Sequence, residues 1–246
     1  MPRTLVLVLG TRVRPYPMLI RAAAATWASV PVPDVEVIFY FGGGGPRMAR
    51  RHLTLPVPDD FPHIGAKTLA CFDYVLENRE FDLVFRTNCS SYVDLMNLSR
   101  YVGEHAQARG FYAGTPSTHD GISFASGSGY FLSRDLVELV VRERDSWNHA
   151  LLDDVALGLL LSTAGHFPIP VPRVGYATPR EVADVDVTQF HFRCKTASRA
   201  RLDDVEILLR LHEAFCRARN QPRPRPLLLD WRLARASRRA VRLVRS

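Results

Sequence analysis

The chain has 246 residues, 47% of them hydrophobic and 23% charged, and its formal net charge is +7. A chain of this size can bury one large core, which favours a single α/β domain with one active site over two domains. No run reaches the roughly 18 apolar residues that a membrane-spanning helix needs, and the apolar run from Thr4 is too short and too early for a signal peptide. We therefore expect a cytoplasmic protein.

A β-α-β unit opens the chain. Residues 4–10 are a continuous apolar run, typical of a strand buried on both faces, and residues 18–29 are alanine-rich and predict a helix. Residues 35–41 predict a second buried strand. The glycines at 42–45 stop it, and because they lack the spacing and the Lys-Ser/Thr ending of a phosphate-binding loop, we interpret them as a flexible turn.

Helices and strands continue to alternate along the rest of the chain. The apolar patterns predict, in order, a helix over 65–78, a strand over 82–86, a helix over 92–107, a strand over 109–114, and helices over 134–143, 151–163 and 202–218. Such alternation implies an α/β fold with a mostly parallel central sheet and helices on both faces. Functional residues are expected at the carboxyl edge of that sheet.

Four short blocks stand out along the chain. They are RAAAATW at 21–27, DDFPHIGAKT at 59–68, FASGSGYFLS at 124–133 and LDDVALG at 152–158. In type and order they resemble the RxxxRxTW, DSYxNLTxKT, YxSGxGYxLS and EDVxxG blocks of the inverting β-1,3-galactosyltransferase and fringe family. The resemblance covers residues 4–195. It implies a GT-A fold, which is Rossmann-like and three-layered, and the transfer of a sugar from a UDP-sugar with inversion.

The resemblance implies which residues bind the donor, several of them near the predicted strand ends. The loop after the first strand contributes Thr11, Arg12 and Arg14, where GT-A enzymes hold the uridine and its phosphates. Further donor-binding candidates along the same half of the chain are Arg21, Asp59, Lys67, Arg86, Thr87, Asn88 and Ser90. Two positions depart from the family blocks: alanine replaces the second arginine of the first block, and His63 replaces the asparagine of the second.

The family's DxD metal motif is missing from its expected place. After the hydrophobic strand the turn carries Asn88, Cys89 and Ser90, and no carboxylate occurs before Asp94. Mn²⁺ and Mg²⁺ prefer oxygen ligands, anionic ones above all, so we expect that no metal or other cofactor is required. The opposing hypothesis is an Mn²⁺ or Mg²⁺ ion held by Asp94, His191 and the diphosphate itself. Asn88 and Ser90 can still hydrogen-bond a ribose or a sugar hydroxyl. The alternative is a polar turn that caps the next helix.

A late strand offers positive charge in place of a metal. In QFHFRCK, residues 189–195, alternation puts His191, Arg193 and Lys195 on one face. Three such groups suit a diphosphate, and Arg193 is able to hold two oxygens at once. His191 also matches by position a histidine that follows the acidic block in the resembled family. The alternative is a solvated edge strand.

The general base is expected in the acidic block. Asp153 and Asp154 stand at the start of an apolar helix, where one of them is expected to cap the helix or to interact with its dipole. The match to EDV points to Asp154 as the carboxylate that accepts a proton from the acceptor hydroxyl. Asp153 is the other candidate.

A serine-glycine segment is the candidate wall of the sugar and acceptor pocket. Its residues are Ser126, Gly127, Ser128 and Gly129. Because glycine has no side chain, the backbone of such a segment can lie close to a ligand. A tight turn is the alternative interpretation.

The positive charge lies at the end of the chain. Residues 221–246 hold eight arginines and one aspartate. Their prolines predict a linker, and the spacing of apolar residues after it predicts a basic amphipathic helix. Such a helix is typical of a membrane-surface anchor, here at the inner face of the membrane. Packing onto the body, a dimer partner and nonspecific binding of nucleic acid are the alternatives.

The leading hypothesis assigns residues 1–220 to a GT-A domain, with a nucleotide-sugar half at 1–100 and an acceptor and catalytic half at 101–220. The expected partners are a UDP-sugar and a glycan, lipid-linked or small-molecule acceptor, with no specific nucleic acid. One rival is a non-catalytic relic that binds nucleotide-sugar or carbohydrate, which the lost DxD favours. The other is nucleotidyl transfer, which needs a glycine-rich first loop and metal carboxylates that the sequence lacks.

Overall fold

The computed structural model describes residues 1–197 and 199–221. The strands are β1 (Thr4–Leu9), β2 (Val35–Phe41), β3 (Arg47–Ala49), β4 (His52–Thr54), β5 (Leu83–Asn88), β6 (Ser91–Val93), β7 (Tyr112–His119), β8 (Ile122–Ser133), β9 (Ile169–Pro170), β10 (Val174–Tyr176) and β11 (His191–Cys194). The α-helices are α1 (Tyr16–Ala25), α2 (Ile64–Asn78), α3 (Leu95–His105), α4 (Arg134–Arg142), α5 (Asp153–Thr163) and α6 (Leu202–Ala218). Apart from Gln221, the predicted linker and basic helix lie outside the described residues.

Eight strands form a central sheet in the order β3-β4-β2-β1-β5-β8-β7-β9. Within this sheet the adjacent strands β4, β2, β1 and β5 run parallel to one another, whereas β8 is antiparallel to both β5 and β7. The predicted α/β fold with a mostly parallel central sheet is confirmed. Within the part of the chain that the structure describes, no helix is both long and apolar enough to cross a membrane.

Each face of the central sheet packs against its own set of helices. Along β1, Val6 and Val8 enter a core shared with α1, α3 and α6, while Leu5 and Leu7 enter a second core shared with α2, α4 and α5. Alternate side chains of a strand point to opposite faces, so a strand covered on both sides must be apolar throughout. This requirement explains the continuous apolar run that predicted β1.

Several predicted boundaries are wrong. The helix expected from residue 92 begins at Leu95, because 91–93 form β6 and Asp94 caps the helix by accepting the N–H of Asn97 at 2.9 Å. The strand expected over 109–114 is β7, which extends to His119, and the serine-glycine segment lies inside the 12-residue strand β8. The tight-turn interpretation of that segment is therefore wrong.

A second, three-stranded sheet adjoins the end of β5. Its order is β10-β11-β6, with β10 and β11 parallel and β11 and β6 antiparallel. The register pairs Gly175 with Arg193, and Arg193 with Ser91. Because β6 follows β5 after only two residues, this small sheet holds β11 beside the carboxyl edge of the central sheet.

Candidate functional site

Asp59 ties together the loops at the carboxyl ends of β1 and β2. Its Oδ2 accepts the N–H of Arg12 at 2.7 Å and the hydroxyl of Thr11 at 3.2 Å, and its Oδ1 accepts the N–H of Gly42 at 3.1 Å and Lys67 Nζ at 3.0 Å. Burial acts to raise the pKa of Asp59, but these hydrogen bonds outweigh it and hold the pKa below its usual value. The predicted donor-binding residues Thr11, Arg12, Asp59 and Lys67 therefore lie together.

The basic residues of this region differ in what they offer a ligand. Lys67 is buried, and its ammonium is occupied by Asp59 and by the carbonyl of Gly10, so it stabilises the loops rather than facing a ligand. Arg14 and Arg21 are exposed. Neither makes a hydrogen bond or ion pair within 1–197 and 199–221, so the structure does not join them to the Asp59 cluster.

A guanidinium occupies the turn after β5. Asn88 Oδ1 accepts the N–H of Ser90 at 3.3 Å, the Ser90 hydroxyl at 3.0 Å and Nη1 of Arg193. The same Nη1 donates to Ser90 Oγ at 2.7 Å. Cys89 points into the core, where burial raises its thiol pKa to about 12. A side-chain cation thus lies on a turn whose own residues supply no carboxylate.

His191 and Lys195 do not form the cationic face predicted with Arg193. His191 is buried, its Nε2 lies 3.4 Å from Ser91 Oγ, and its ring meets Phe85 edge-on. Burial lowers its pKa to about 3, helped by the nearby arginines, so the ring is neutral at physiological pH. Strand β11 ends at Cys194, and Lys195 lies beyond it and is exposed. Of the three, only Arg193 supplies positive charge to the turn.

Arg86 lies in the core and not in a donor pocket, which corrects the sequence-based expectation. Its Nη2 donates to Asp153 Oδ2 at 2.5 Å, its Nε donates to the hydroxyl of Tyr40 at 3.1 Å, and its Nη1 donates to the carbonyl of Gly127. Burial raises the pKa of Asp153, and Arg86 opposes that shift. Thr87 is also buried, where its hydroxyl donates to a backbone carbonyl at 2.5 Å. Both side chains position neighbouring strands.

The two aspartates of the acidic block have different surroundings. Asp153 is bound to Arg86, whereas Asp154 accepts only backbone N–H groups, from Gly127 at 2.7 Å and from Val155 at 3.1 Å. Leu152 holds the N-cap position of α5, so neither aspartate is the capping residue. Within the described residues no cation pairs with Asp154, which leaves it as the less neutralised carboxylate.

The glycines of the serine-glycine segment accommodate the site's own side chains. A Cβ on Gly129 would lie 2.2 Å from Cε1 of His191, and a Cβ on Gly127 would lie 3.0 Å from Oδ2 of Asp154. The expectation was a close approach by a ligand, and the structure shows a close approach by protein atoms. The hydroxyls of Ser126 and Ser128 both accept from Nη1 of Arg173, at 3.0 Å for Ser126.

Arg173 is a site residue that the sequence did not reveal. It directly precedes β10, in a proline-rich stretch without periodicity or motif. Its hydroxyl partners are 45 and 47 residues away along the chain. No local sequence signal identifies it, because its role depends on how β10 lies against β8.

The fold, rather than the sequence, relates this chain to known proteins. No protein-family model and no curated protein sequence matches it. The structure is similar to a glycosyltransferase involved in the glycosylation of the major capsid of PBCV-1, with 10% identity, a TM-score of 0.55, and coverage of 84% of this chain and 98% of that chain. A mannosyltransferase from Pyrobaculum calidifontis, in complex with GDP-Man and Mn²⁺, gives 15% identity, a TM-score of 0.49, and coverage of 94% and 69%. The first likeness shows the α/β fold alone, and the second is too weak for an argument.

The residues at the turn do not fit a divalent cation held in the DxD manner. Asn88 and Ser90 offer neutral oxygens, and the guanidinium of Arg193 already binds them. The next carboxylate, Asp94, accepts two hydrogen bonds of 2.7 Å from Arg219. Across 1–197 and 199–221, no three His, Cys, Asp or Glu side chains are grouped as metal ligands would be. A divalent ion prefers anionic oxygens, which this turn does not supply.

Proposed function

We propose that this chain is an inverting glycosyltransferase that moves a sugar from a UDP-sugar to an acceptor hydroxyl. One observation carries the proposal: Gly127 links a carboxylate and a guanidinium at the carboxyl edge of the sheet. Its N–H donates to Asp154, and its carbonyl accepts from Nδ2 of Asn88 at 3.5 Å, while Oδ1 of Asn88 binds Arg193. A base and a cation connected by this chain of hydrogen bonds suit a transfer that releases both a proton and a diphosphate.

The proposed reaction uses Asp154 as the general base. The acceptor O–H gives its proton to Asp154 as the acceptor oxygen bonds to the anomeric carbon of the donor sugar. The bond from that carbon to the diphosphate oxygen breaks at the same time, and its electron pair leaves with UDP. Attack from the face opposite the leaving group inverts the anomeric centre. Arg193 stabilises the negative charge that develops on the leaving diphosphate.

The proposed nucleotide site is the crevice outside the ends of β1, β2 and β5. Ligands of open α/β sheets bind at the carboxyl ends of parallel strands, and Asp59 holds the first two of these ends together. Thr11, Arg12 and Ser90 are the proposed donor contacts, and Lys67 is a proposed positioning residue through Asp59. The fold likeness to a glycosyltransferase supports this choice of ligand.

The proposed mechanism needs no metal, because Arg193 supplies the positive charge that a divalent ion supplies elsewhere. The proposed acceptor is a hydroxyl of a glycan, a lipid-linked sugar or a small molecule. A basic C-terminal segment that brings the enzyme to an anionic membrane surface is part of the same proposal, since the segment carries eight arginines.

A donor screen with and without chelator tests the proposal. Purified protein is incubated with a panel of UDP-sugars, UDP release is measured in excess chelator and again with Mn²⁺ or Mg²⁺, and the anomeric configuration of the product is read by NMR. We expect one donor to be consumed at the same rate in chelator, with inversion. Loss of activity that added metal restores would refute the metal-free mechanism. Binding of UDP without turnover of any donor would favour the non-catalytic relic.

A further inference from the structure

The backbones of Arg173 and Arg193 lie close together at the small sheet β10-β11-β6. Val174, the first residue of β10, pairs with Phe192 of β11, and extending this register by one residue puts Arg173 across from His191. Paired residues of adjacent parallel strands share a face, as do residues two apart on one strand. Arg173 and Arg193 are therefore diagonal neighbours on one face, with strands about 4.8 Å apart.

Neutral oxygens hold both guanidiniums. Arg173 donates to the hydroxyls of Ser126 and Ser128, and Arg193 donates to the Asn88 amide oxygen and the Ser90 hydroxyl. In the described part of the chain no carboxylate forms an ion pair with either arginine. A third arginine nearby, Arg201, differs in this respect, because it pairs with Asp204 at 2.7 Å.

Two partly buried cations that no carboxylate of the described residues neutralises are an unfavourable arrangement. Burial, and after it the charge of Arg173, lower the pKa of Arg193 to about 10. Burial also lowers the pKa of Arg173. Since arginine stays protonated at physiological pH, the protein maintains like charges close together in a poorly solvated place. An anion that binds between them would relieve both the repulsion and the desolvation.

We propose that Arg173 and Arg193 form a two-guanidinium site for a diphosphate, the leaving group of the transfer proposed above. The inference rests on that proposed function and adds a residue to it. Each guanidinium presents a planar fork that can hold two phosphate oxygens. Neutral side chains orient the two guanidinium groups without neutralising their charge: Ser126 and Ser128 bind Arg173, and Asn88 and Ser90 bind Arg193. The full positive charge of both groups therefore faces the diphosphate.

Calorimetric titration with inorganic pyrophosphate in excess chelator tests the site directly. Arg173→Gln removes hydrogen bonds to the charged pyrophosphate, and we expect it to weaken pyrophosphate binding roughly 10- to 100-fold. Arg193→Gln is expected to weaken it on the same scale, and Arg173→Lys by less, because lysine retains the charge and loses the fork. Arg100→Gln is the matched control, since Arg100 is an exposed arginine on α3, and it should bind as the wild type does.

Thermal unfolding without ligand distinguishes ligand binding from a structural role. Removing one of two like charges relieves repulsion, so Arg173→Gln should unfold at the wild-type temperature or above it, and pyrophosphate should raise that temperature less than in the wild type. A lower unfolding temperature, with pyrophosphate affinity unchanged, would overturn the assignment of Arg173. Wild-type affinity in both glutamine variants would overturn the whole site.

The binding experiment also separates this inference from the proposed reaction. If the wild-type protein transfers sugar but does not bind pyrophosphate in chelator, the two-guanidinium site is wrong and the transferase stands. If it binds pyrophosphate through both arginines but consumes no UDP-sugar, the site stands and the transferase is wrong.

Discussion

Gly129 leaves no room for a side chain beside His191, and replacing this glycine with alanine tests how tightly the two residues pack. The added Cβ would lie 2.2 Å from Cε1 of His191 and 2.8 Å from each ring nitrogen. Carbon atoms in contact are normally about 3.5–4.0 Å apart. The ring or strand β8 must therefore move by more than about 1 Å to accept the methyl group.

The surroundings of His191 make this movement costly. The ring is 3% exposed, lies edge-on to Phe85 with centroids 5.3 Å apart, and stacks on Phe190. Overpacking of a core costs about 1–3 kcal/mol, and loss of the ring's hydrogen bond to Ser91 adds about 1 kcal/mol. We expect Gly129→Ala to lower the free energy of unfolding by about 2–4 kcal/mol.

Urea unfolding at pH 8, where His191 is neutral, measures the effect. The matched control is Gly175→Ala in β10, because no heavy atom lies within 4 Å of its added Cβ, and its change should stay within about 0.5 kcal/mol. His191→Ala in the Gly129→Ala background should recover part of the loss, giving a coupling energy of at least about 1 kcal/mol. If Gly129→Ala is as stable as Gly175→Ala, the argument is refuted. Gly129 is then again a backbone position that faces a ligand.

Three further predictions concern the acidic pair and the buried histidine. Asp154→Asn should abolish turnover and leave UDP affinity within a few-fold, as measured by UDP release and calorimetry; normal transfer by this variant would show that the base is elsewhere. Asp153→Asn leaves Arg86 buried beside a neutral amide, so the free energy of unfolding should fall by about 3–5 kcal/mol; an unchanged urea midpoint would contradict the ion pair. The pKa of His191 is about 3 when folded and about 6.5 when unfolded, so its stabilising contribution is complete above pH 6.5 and declines as the pH falls toward 3. Between pH 8 and pH 5 the loss should be about 2 kcal/mol; urea unfolding at both pH values should show a smaller loss in His191→Gln, and an equal loss would contradict the assignment.

Elements with a strong local pattern were predictable from the sequence. The strand over 35–41 and the helix over 202–218 occur where the apolar pattern put them. Strand β6 was missed, because its three residues pair with β11, about 100 residues further along the chain. Pairing between distant segments leaves no periodic signal in either of them. For the same reason the antiparallel insertion of β8 between β5 and β7 was not foreseen.

The sequence by itself determined which chemical groups are available: a strand end without a carboxylate, an acidic pair at a helix start, and an excess of arginine. Only the tertiary structure decided which arginine serves which partner. Arg86 meets Asp153 across 67 residues, Arg193 meets Asn88 across 105, and Arg173 reaches its serine partners across 45 and 47. An arginine side chain is long and can pair with many groups. Whether an arginine stabilises the core or is available to bind an anion depends on the strands and helices that pack around it and on the water they exclude.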